Sequence, residues 1–401
     1  MNKIKEEVEQ YRNIALNILK PTKLELEQGF ELHRNSIVID AYGFAPRANI
    51  NIREIQKMIK AGGSYSEIKD LKEKIIMTGV VKNREEKEKF RYIFDTSGVT
   101  CIFQNAGEEH SSPLRMLKRL AHYTYVCDKM GDFLKNALTP EDILEAKKSS
   151  KHCLYFSCNG VPLLQQWQST EEELSFIEIF YELGCRMMHL TYNRRNMIGD
   201  GCGELSDAGL SDFGKMVVKQ MNRVGVIVDV AHSGWQTSID AAKISSKPIV
   251  ASHSGCFSIT KHYRNKTDKV IKSITDTGGY IGICCIPKFL GGEGNINSFL
   301  DHIDYVVKKF GADYVAIGTD VAPPGEDGEK KSLRLPPSRI PWESLWPPAE
   351  TDFLKNVEKS LMWTNWPLFT VGLCKRGYSD KDIKKIIGGN VMRVAKTVLN
   401  K

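Results

Sequence analysis

The chain has 401 residues, of which 41% are hydrophobic and 26% are charged, as is ordinary for a soluble globular protein. Its 56 Lys and Arg residues exceed its 49 Asp and Glu residues by 7, a mild excess that is spread over helix-like segments. Because neither a dense basic stripe nor a nucleic-acid-binding motif is present, no nucleic-acid partner is expected. No apolar run approaches the roughly 18 residues of a membrane span, so no membrane partner is expected either.

Ten cysteines are spread along the chain without a CxxC pair, and several lie inside apolar runs. Cysteines used in this way act as small apolar side chains and are typical of a reducing compartment. The first twenty residues, MNKIKEEVEQYRNIALNILK, carry charges throughout and lack the apolar stretch of a signal peptide. The sequence therefore predicts a cytoplasmic protein.

Eight short apolar runs recur along the chain, and most are separated by segments of helix length. The runs are Ile37–Asp40, Val99–Phe103, Cys153–Ser157, Met187–Thr191, Val226–Ala231, Ile249–His253, Tyr280–Cys285 and Val315–Asp320. They are nearly continuous rather than alternating, which indicates parallel strands that are covered on both faces.

The segments between the runs have the apolar periodicity and end signals of helices. Helices are predicted over Thr170–Leu183, which has an acidic first turn, over Ser206–Gly225, which ends in a glycine, and over Ser298–Phe310. Eight strand–helix units favour an α/β fold in which the parallel sheet closes on itself. We therefore predict a (β/α)8 TIM barrel that forms a single domain over residues 1–401.

Four segments extend this minimal barrel. Residues 1–35 are predicted to be an N-terminal helical segment, and residues 353–401 to be C-terminal helices. Residues 41–98 form a helix-rich insertion after the first strand, and residues 321–352 form a proline-rich loop after the eighth. Both insertions leave from the mouth of the barrel, where ligands bind, so a lid function is predicted alongside the alternative of a surface elaboration.

Polar residues stand where the predicted strands end, which is where barrels carry their chemistry. The first strand ends at Asp40, the fifth runs into His232, the sixth reaches His253, and the eighth ends at Asp320. Imidazole and carboxylate groups are natural ligands of zinc and related metals, so these residues suggest a divalent metal site. A histidine in an apolar run is also compatible with a hydrogen-bonded core residue.

Three further residues have two interpretations each. Asp229 lies in the middle of the fifth strand and is either a residue that orients a metal-binding histidine or a structural acid. His189 lies two residues before the end of the fourth strand, where a core role and a site role are equally compatible with its position. His110, in the loop after the second strand, could reach the mouth, but no site role is predicted for it.

Arginines follow two of the strands that carry these polar residues. Arg264, in the segment HYRNKTD, is a candidate to bind a substrate carboxylate through both nitrogens of its guanidinium group. Arg194 and Arg195 follow the fourth strand, where one could bind substrate and the other could brace the loop through a salt bridge.

Three common enzyme motifs are missing from the sequence. It has no GxGxxG dinucleotide fingerprint, no GxxxxGK[ST] phosphate loop and no GxSxG nucleophile elbow. Dehydrogenase, nucleotide-hydrolase and serine-hydrolase chemistry of these types is therefore not expected.

Five short motifs follow one another along the chain: DVAHSG (Asp229–Gly234), IVASHSG (Ile249–Gly255), RNKTD (Arg264–Asp268), AIGTD (Ala316–Asp320) and GGNVMRV (Gly388–Val394). In this order they resemble the motifs of the membrane dipeptidase (renal dipeptidase) family, peptidase family M19, and the resemblance covers roughly residues 36–400. The segment LTYNRRNMIGDGC together with SDAGLSDFG resembles a bacterial branch of that family. The resemblance implies a metal-dependent hydrolase in a (β/α) barrel that cleaves dipeptides through a bridged pair of zinc ions.

Part of the family's site is carried over by the resemblance. His232 and His253 match the two histidines that bind one of the metals. Arg264 matches the arginine that holds the substrate carboxylate, and Asp320 matches the aspartate that handles protons beside the bridging water.

Three of the family's five metal ligands are replaced. Tyr42 and Phe44 stand where the family has a His-x-Asp pair after its first strand, and the Cys158–Asn159 region stands where it has a bridging glutamate. Tyr192 replaces a substrate-facing histidine. Phenylalanine cannot bind a metal, and tyrosine binds zinc poorly at neutral pH because its pKa is near 10.

The replacements predict at most one zinc ion. Its ligands would be His232 and His253, with Asp320, Cys158 or Asp40 as further candidates. In a pocket without metal, Asp320 and His232 would act as general base and general acid. Side chains predicted to contact the substrate in either case are Tyr42, Asn159, Tyr192, Arg195 and Arg264.

The predicted function is that of a dipeptidase-like amidohydrolase acting on a dipeptide or a similar small amide. One alternative is a divergent enzyme that uses the same pocket for another reaction on a peptide-like substrate. The other is a non-catalytic protein that binds a carboxylated ligand. The resemblance also implies a homodimer.

Overall fold

A parallel β-sheet wraps into a nearly closed barrel at the centre of the computed structural model, which describes residues 1–107, 112–166, 169–323, 345–347 and 358–399. The strands are β1 Ile39–Gly43, β2 Cys101–Asn105, β3 Leu134–Asn136, β4 His152–Cys158, β5 Cys185–His189, β6 Ile227–Asp229, β7 Ile249–Ser254, β8 Tyr280–Ile283 and β9 Val315–Ile317. Their order is β1-β2-β4-β5-β6-β7-β8-β9, with every pair parallel, and β3 pairs with the first residues of β4. The predicted (β/α)8 barrel is confirmed.

All eight predicted strands are present, with shifted bounds. The runs 226–231 and 315–320 pair only over β6 and β9, because the residues beyond leave the ladder to form the mouth. The short strand β3 was not predicted, since its sequence Leu-Lys-Asn has one buried residue and no apolar run.

Hydrogen bonds made beyond the strand ends close the barrel between β9 and β1. The Asp320 N–H donates to Tyr42 O at 3.0 Å. The buried Asp40 carboxylate accepts from the Thr319 N–H at 2.9 Å, from the Thr319 hydroxyl at 2.6 Å and from Trp363 Nε1 at 2.9 Å. Burial raises the pKa of Asp40 to about 6. Asp40 therefore joins the first strand to the last.

Helices surround the barrel. In the described residues they are α1 Asn2–Leu19, α2 Lys23–Asn35, α3 Ile52–Lys60, α4 Tyr65–Lys82, α5 Arg84–Ser97, α6 Pro113–Lys129, α7 Pro140–Lys148, α8 Thr170–Glu182, α9 Asp212–Val224, α10 Trp235–Ile244, α11 Asp268–Asp276, α12 Pro287–Leu290, α13 Ile296–Phe310, α14 Trp366–Lys375, α15 Asp380–Lys384 and α16 Asn390–Leu399. None of them is long and apolar enough to cross a membrane.

Two of the three predicted helices match α8 and α13 closely, whereas α9 begins six residues later than predicted. Ser211 caps α9 by accepting from the Gly214 N–H at 2.9 Å. Asp207, within the predicted span, instead caps α10, where its carboxylate accepts from the Gln236 N–H at 2.6 Å. The loop between β5 and α9 is therefore tied to the neighbouring helix.

The predicted extensions coincide with parts of this structure. Helices α1 and α2 cover residues 1–35, α3 to α5 lie in the insertion 41–98, and α14 to α16 lie in 353–401. The proline-rich segment 321–352 falls mostly outside the described residues, so its role as a lid stays a prediction. The assignment of the chain to one domain also stays a prediction.

Candidate active site

Polar side chains converge at the carboxyl ends of three neighbouring strands. His189 ends β5, Asp229 ends β6, His232 follows β6, and His253 lies near the end of β7. His189, Asp229 and His253 have no solvent exposure, and His232 is 4% exposed. These side chains meet because the carboxyl ends of parallel strands form one face of a barrel.

The two histidines predicted as metal ligands face each other. His232 Nε2 and His253 Nε2 are 2.9 Å apart. His232 Nδ1 lies 2.7 Å from Asn193 Oδ1, and His253 Nδ1 lies 2.9 Å from Ser252 Oγ. Because an amide oxygen only accepts, His232 carries its proton on Nδ1 and keeps a lone pair on Nε2. Asn193 and Ser252 were not predicted as site residues.

Two tyrosines cover the histidine pair. The Tyr42 ring stacks on His253 with centroids 4.0 Å apart, and the Tyr192 ring stacks on His232 at 4.2 Å. The Tyr42 hydroxyl donates to Asn159 Oδ1 at 2.5 Å. The structure thus places two of the predicted substrate-contacting residues, Tyr42 and Tyr192, on the histidines and a third, Asn159, behind Tyr42.

Arg264 is fully buried against the same pair. Its Nη1 donates to Ala231 O, and its Nη2 lies 3.3 Å from both His253 O and His232 Nε2. Within the described part of the chain, its Nε has no hydrogen-bond partner and its guanidinium has no carboxylate partner. Among the described residues, this buried cation is therefore left without a compensating carboxylate.

The positive surroundings keep the histidines neutral. Burial, reinforced by the charge of Arg264, holds the pKa values of His232 and His253 well below their usual range. Burial also lowers the pKa of Lys266 to about 7. The Lys266 ammonium donates to Val230 O at 2.6 Å and to a second carbonyl, so it braces the turn after β6.

His189 forms the floor of the pocket, a position that the sequence left undecided. Its ring centroid lies 5.3 Å from those of Tyr42 and His253 and 5.4 Å from that of His232. Its Nε2 is 2.6 Å from Asp229 Oδ2. Burial alone would raise the pKa of Asp229, but His189 and Ser252 outweigh it and hold that pKa below its usual value.

Asp320 lies at the rim of the pocket, at the seam where β9 meets β1. It is partly exposed and has a φ of 55°, a left-handed conformation that aspartate tolerates better than most residues. The nearby Gly318 has no side-chain space, because a Cβ there would lie 2.0 Å from Ser252 O. The backbone of β9 therefore approaches β7 closely just before Asp320.

Three other predicted residues have their polar atoms directed to different partners. The Cys158 thiol lies 3.8 Å from Met187 O within the apolar packing, and Asp40 is bonded across the seam. The Arg195 guanidinium bonds to Asp200 and braces its own loop. His110 lies outside the described residues.

The loop after β5 folds over the site and adjoins a cavity. A Cβ at Gly201 would lie 2.2 Å from the Asn193 carbonyl carbon, so the GDG sequence allows the loop to pack on its own start. A cavity of about 240 Å³ adjoins Tyr192 and is lined both by apolar side chains such as Leu163 and Ile198 and by polar ones such as Arg194 and Arg195. The cavity next to Tyr192 is therefore large enough to hold a small side chain of a ligand.

The residues in place do not fit two metal ions. Tyr42 fills one side of the pocket, with its ring on His253 and its hydroxyl on Asn159. A single ion is compatible with the donors, since two imidazoles and a carboxylate are common zinc ligands. His253 belongs to both candidate sets, one with His232 and the other with His189 and Asp229.

Curated relatives are similar to most of the chain. Dipeptidase verJ of Clonostachys rogersoniana is 30% identical over 274 residues, covering 68% of this chain and 62% of that protein. Dipeptidase tcpJ of Claviceps purpurea (strain 20.1) is 25% identical over 294 residues, covering 72% and 61%. The chain thus spans a little under two thirds of the length of these relatives.

Solved structures and a family model extend the similarity. The crystal structure of an amidohydrolase from Pseudomonas aeruginosa has 26% sequence identity and a TM-score of 0.70, covering 93% of this chain and 99% of that one. The model of "Membrane dipeptidase (Peptidase family M19)" matches residues 65–332, about two thirds of the chain. With the barrel and the histidine pair in place, this match means that the chain belongs to the membrane dipeptidase family, peptidase family M19.

Proposed function

We propose that this pocket hydrolyses the amide bond of a dipeptide or a similar small amide, with at most one metal ion. The observation that carries the proposal is Arg264, a buried cation with no carboxylate partner among the described residues. Burying an unpaired charge is costly, so an anionic ligand is expected to complete the site. The free carboxylate of a dipeptide has the charge and shape that a guanidinium binds. The relatives named dipeptidases support the same substrate class.

The other side chains have roles that follow from their positions. Asp320, at the partly exposed rim, is the proposed general base that takes a proton from the attacking water. His232 is neutral at pH 7, so at Nε2 it would take up the proton that Asp320 has removed from the water and donate it to the leaving amine, which returns both groups to their starting states. The hydroxyl group of Tyr192 is a proposed donor to the substrate, and that of Tyr42 would become one by giving up its bond to Asn159. A metal ion bound at His253 would supply Lewis acidity at the amide carbonyl.

A panel of dipeptides and their C-terminal amides tests the proposal. With protein purified without chelator, we expect the free dipeptides to be cleaved and the amides to lose about 100-fold in kcat/KM, because an Arg–carboxylate pair contributes about 3 kcal/mol. Arg264→Met should cause a similar loss with free dipeptides, while Arg264→Lys should keep part of the activity. Arg223→Lys, on the exposed face of α9, is the matched control and should change neither kcat nor KM.

Two outcomes would contradict the proposal. Equal cleavage of dipeptides and amides would show that Arg264 does not bind the substrate carboxylate. No cleavage of any dipeptide, with or without added zinc, would exclude the hydrolase.

A ligand-binding protein without turnover is the second candidate. It is favoured by Tyr42 and Asn159, which occupy positions where the resemblance places metal ligands and which bond to each other. Calorimetric binding of a dipeptide that depends on Arg264, without any cleavage, would support this candidate over the enzyme.

The cellular compartment and the oligomeric state of the protein are also proposals. All ten cysteines are free, including Cys101 and Cys153, which are paired in the register of β2 and β4. A reducing, cytoplasmic compartment is consistent with unbridged neighbours of this kind. A homodimer is proposed from the family resemblance, and light scattering of the purified chain would test it.

A further inference from the structure

The floor of the pocket holds a set of three potential metal ligands, of which the resemblance assigns only His253. One ring nitrogen each of His189 and His253 and a carboxylate oxygen of Asp229 lie within 4.8 Å of one another, and all three side chains are fully buried. We propose that one divalent first-row metal ion, with zinc as the reference, is held by His189, Asp229 and His253, and that His232 is not a ligand. The ion would thus lie deeper in the barrel than the sequence predicts.

Unsatisfied polar atoms mark the deeper position. Neither ring nitrogen of His189 has a hydrogen-bond partner in the described residues, and neither does Asp229 Oδ2. Nε2 and Oδ2 are 2.6 Å apart, but they lack the alignment of a hydrogen bond. Leaving such a group unsatisfied in the interior costs about 1–3 kcal/mol. A cation between these atoms would satisfy both.

The nitrogens of His232, in contrast, are already engaged. Its Nδ1 is bonded to Asn193, and its Nε2 faces both His253 and the Arg264 guanidinium, 3.3 Å away. A metal ion at that Nε2 would lie beside the Arg264 charge, and the described residues provide no carboxylate contact there to compensate it. The deeper position contains the Asp229 carboxylate, so its charge favours a cation.

The backbone presents Asp229 with one oxygen left over. Asp229 Oδ1 accepts from the Ala231 N–H at 2.9 Å and from the Ser252 N–H at 3.1 Å, which fixes the carboxylate and leaves Oδ2 for the ion. Zinc–ligand bonds of about 2.0–2.2 Å place tetrahedral ligands roughly 3.3 Å apart. His189 and Asp229 would therefore separate by about 0.7 Å on binding, and His253 would exchange its contact with His232 for the ion. Two histidines and one carboxylate leave a coordination position open.

The inference deepens the proposed function, on which it rests only for the use of the ion in hydrolysis. The ligand set itself is measurable without any substrate. Under this assignment His232 and Arg264 face the substrate, while the ion lies beneath them.

Metal content of purified variants tests the ligand set. The protein is stripped with chelator, reloaded with Zn²⁺ or Co²⁺, desalted and measured by elemental analysis. We expect about one ion per chain for the unmodified protein, at least a tenfold lower content for His189→Ala and Asp229→Asn, and unchanged content for His232→Gln. His302→Gln is the control for losing a buried imidazole elsewhere, since His302 bonds to Leu290 O and the Cys256 N–H.

Cysteine variants keep the test decisive if an alanine variant does not fold. Co²⁺ bound to His189→Cys should show a thiolate-to-cobalt charge-transfer band, whereas Co²⁺ bound to His232→Cys should not. The opposite pattern, or loss of metal in His232→Gln with full content in His189→Ala, would overturn the ligand set. No bound metal in the unmodified protein would overturn it as well, even if dipeptides are cleaved. One ion that depends on His189, without dipeptide cleavage, would support the ligand set and contradict the proposed hydrolase instead.

Discussion

At the scale of single residues, Asn193 decides which tautomer the neighbouring His232 adopts. Its side-chain oxygen accepts from His232 Nδ1 at 2.7 Å and also from the Cys202 thiol at 3.2 Å. This contact fixes which nitrogen of His232 carries the proton. In the other tautomer, Nε2 of His232 would present an N–H donor instead of a lone pair to the pocket.

Replacing Asn193 by leucine should therefore lower kcat and leave KM nearly unchanged. Loss of one buried hydrogen bond to the imidazole corresponds to about 1–3 kcal/mol, or roughly 5- to 150-fold in kcat. Steady-state kinetics on the best dipeptide of the panel would measure the effect. Asn193→Asp retains an acceptor and should recover part of kcat. If both variants lower kcat equally, the tautomer explanation is wrong.

At the scale of elements, His33 joins three helices that lie far apart in the sequence. Its Nε2 lies 2.8 Å from Ser97 O at the end of α5, and its Nδ1 lies 2.8 Å from Thr370 Oγ1 on α14. Burial lowers the pKa of His33 to about 4, so this histidine of α2 is neutral in the folded chain. The N-terminal helices are therefore coupled to the C-terminal ones through a group that titrates.

The depressed pKa of His33 predicts a loss of stability in acid. The unfolded chain takes up a proton near pH 6.5, while the folded chain does so only near pH 4, so the free energy of unfolding falls as the pH decreases through this range. A shift of this size corresponds to about 3 kcal/mol. His33→Gln should lower stability at pH 7.5 and show a flatter decline towards pH 4, as measured by urea unfolding at several pH values.

The half-buried His122 on α6 provides the matched control for that experiment. Because it is less buried than His33, His122→Gln should leave most of the acid-induced decline in place. A decline in His33→Gln as steep as that of the unmodified chain would contradict the assignment to His33.

At the scale of the whole molecule, closure of the barrel depends on one carboxylate. Asp40 receives both donors of Thr319 and the indole N–H of Trp363, which tie β1 to β9 and to the C-terminal segment. Regular strand pairing ends before this point, since β9 stops at Ile317. One backbone bond, from the Asp320 N–H to Tyr42 O, spans the seam, and the side-chain bonds of Asp40 add to it where the other strands have a regular ladder.

Thr319→Val should destabilise the fold, and more so at high pH. The pKa of Asp40 is about 6 in the folded chain, above its usual 3.8. The contribution of this carboxyl group to the free energy of unfolding is therefore fully present below pH 3.8 and is lost as the pH rises through 6. Removing a donor to the ionised form raises that pKa further. We expect the free energy of unfolding to fall by about 2 kcal/mol at pH 8 and by less at pH 4.5, in urea titrations at both pH values.

Thr191→Val is the control for the seam experiment, because the Thr191 hydroxyl bonds to the uncharged Ser233 hydroxyl at 3.0 Å. Its loss of stability should be the same at pH 8 and pH 4.5. Equal losses at both pH values for Thr319→Val would show that the charge of Asp40 does not matter at the seam.

The sequence alone determined the barrel, because each buried strand must be apolar on both faces and eight runs of this kind stand out. It also predicted that His232, His253 and Arg264 lie at one mouth, since they stand at the end of a strand or in the loop after it and the ends of parallel strands share one face. Their roles stay predictions. The strand β3 was not predictable, because only its place beside β4 gives its three residues a partner.

Only the tertiary structure decided which polar groups share the floor of the pocket. His189 and Asp229 look like strand-interior residues in the sequence, and their closeness depends on the register that pairs β5 with β6. Asp40 stands at a strand end like the histidines, yet closure of the barrel directs it to Thr319 and Trp363. The physical reason is that strand ends are set by local apolar patterning, whereas the direction and partners of a buried side chain depend on the strands packed beside it.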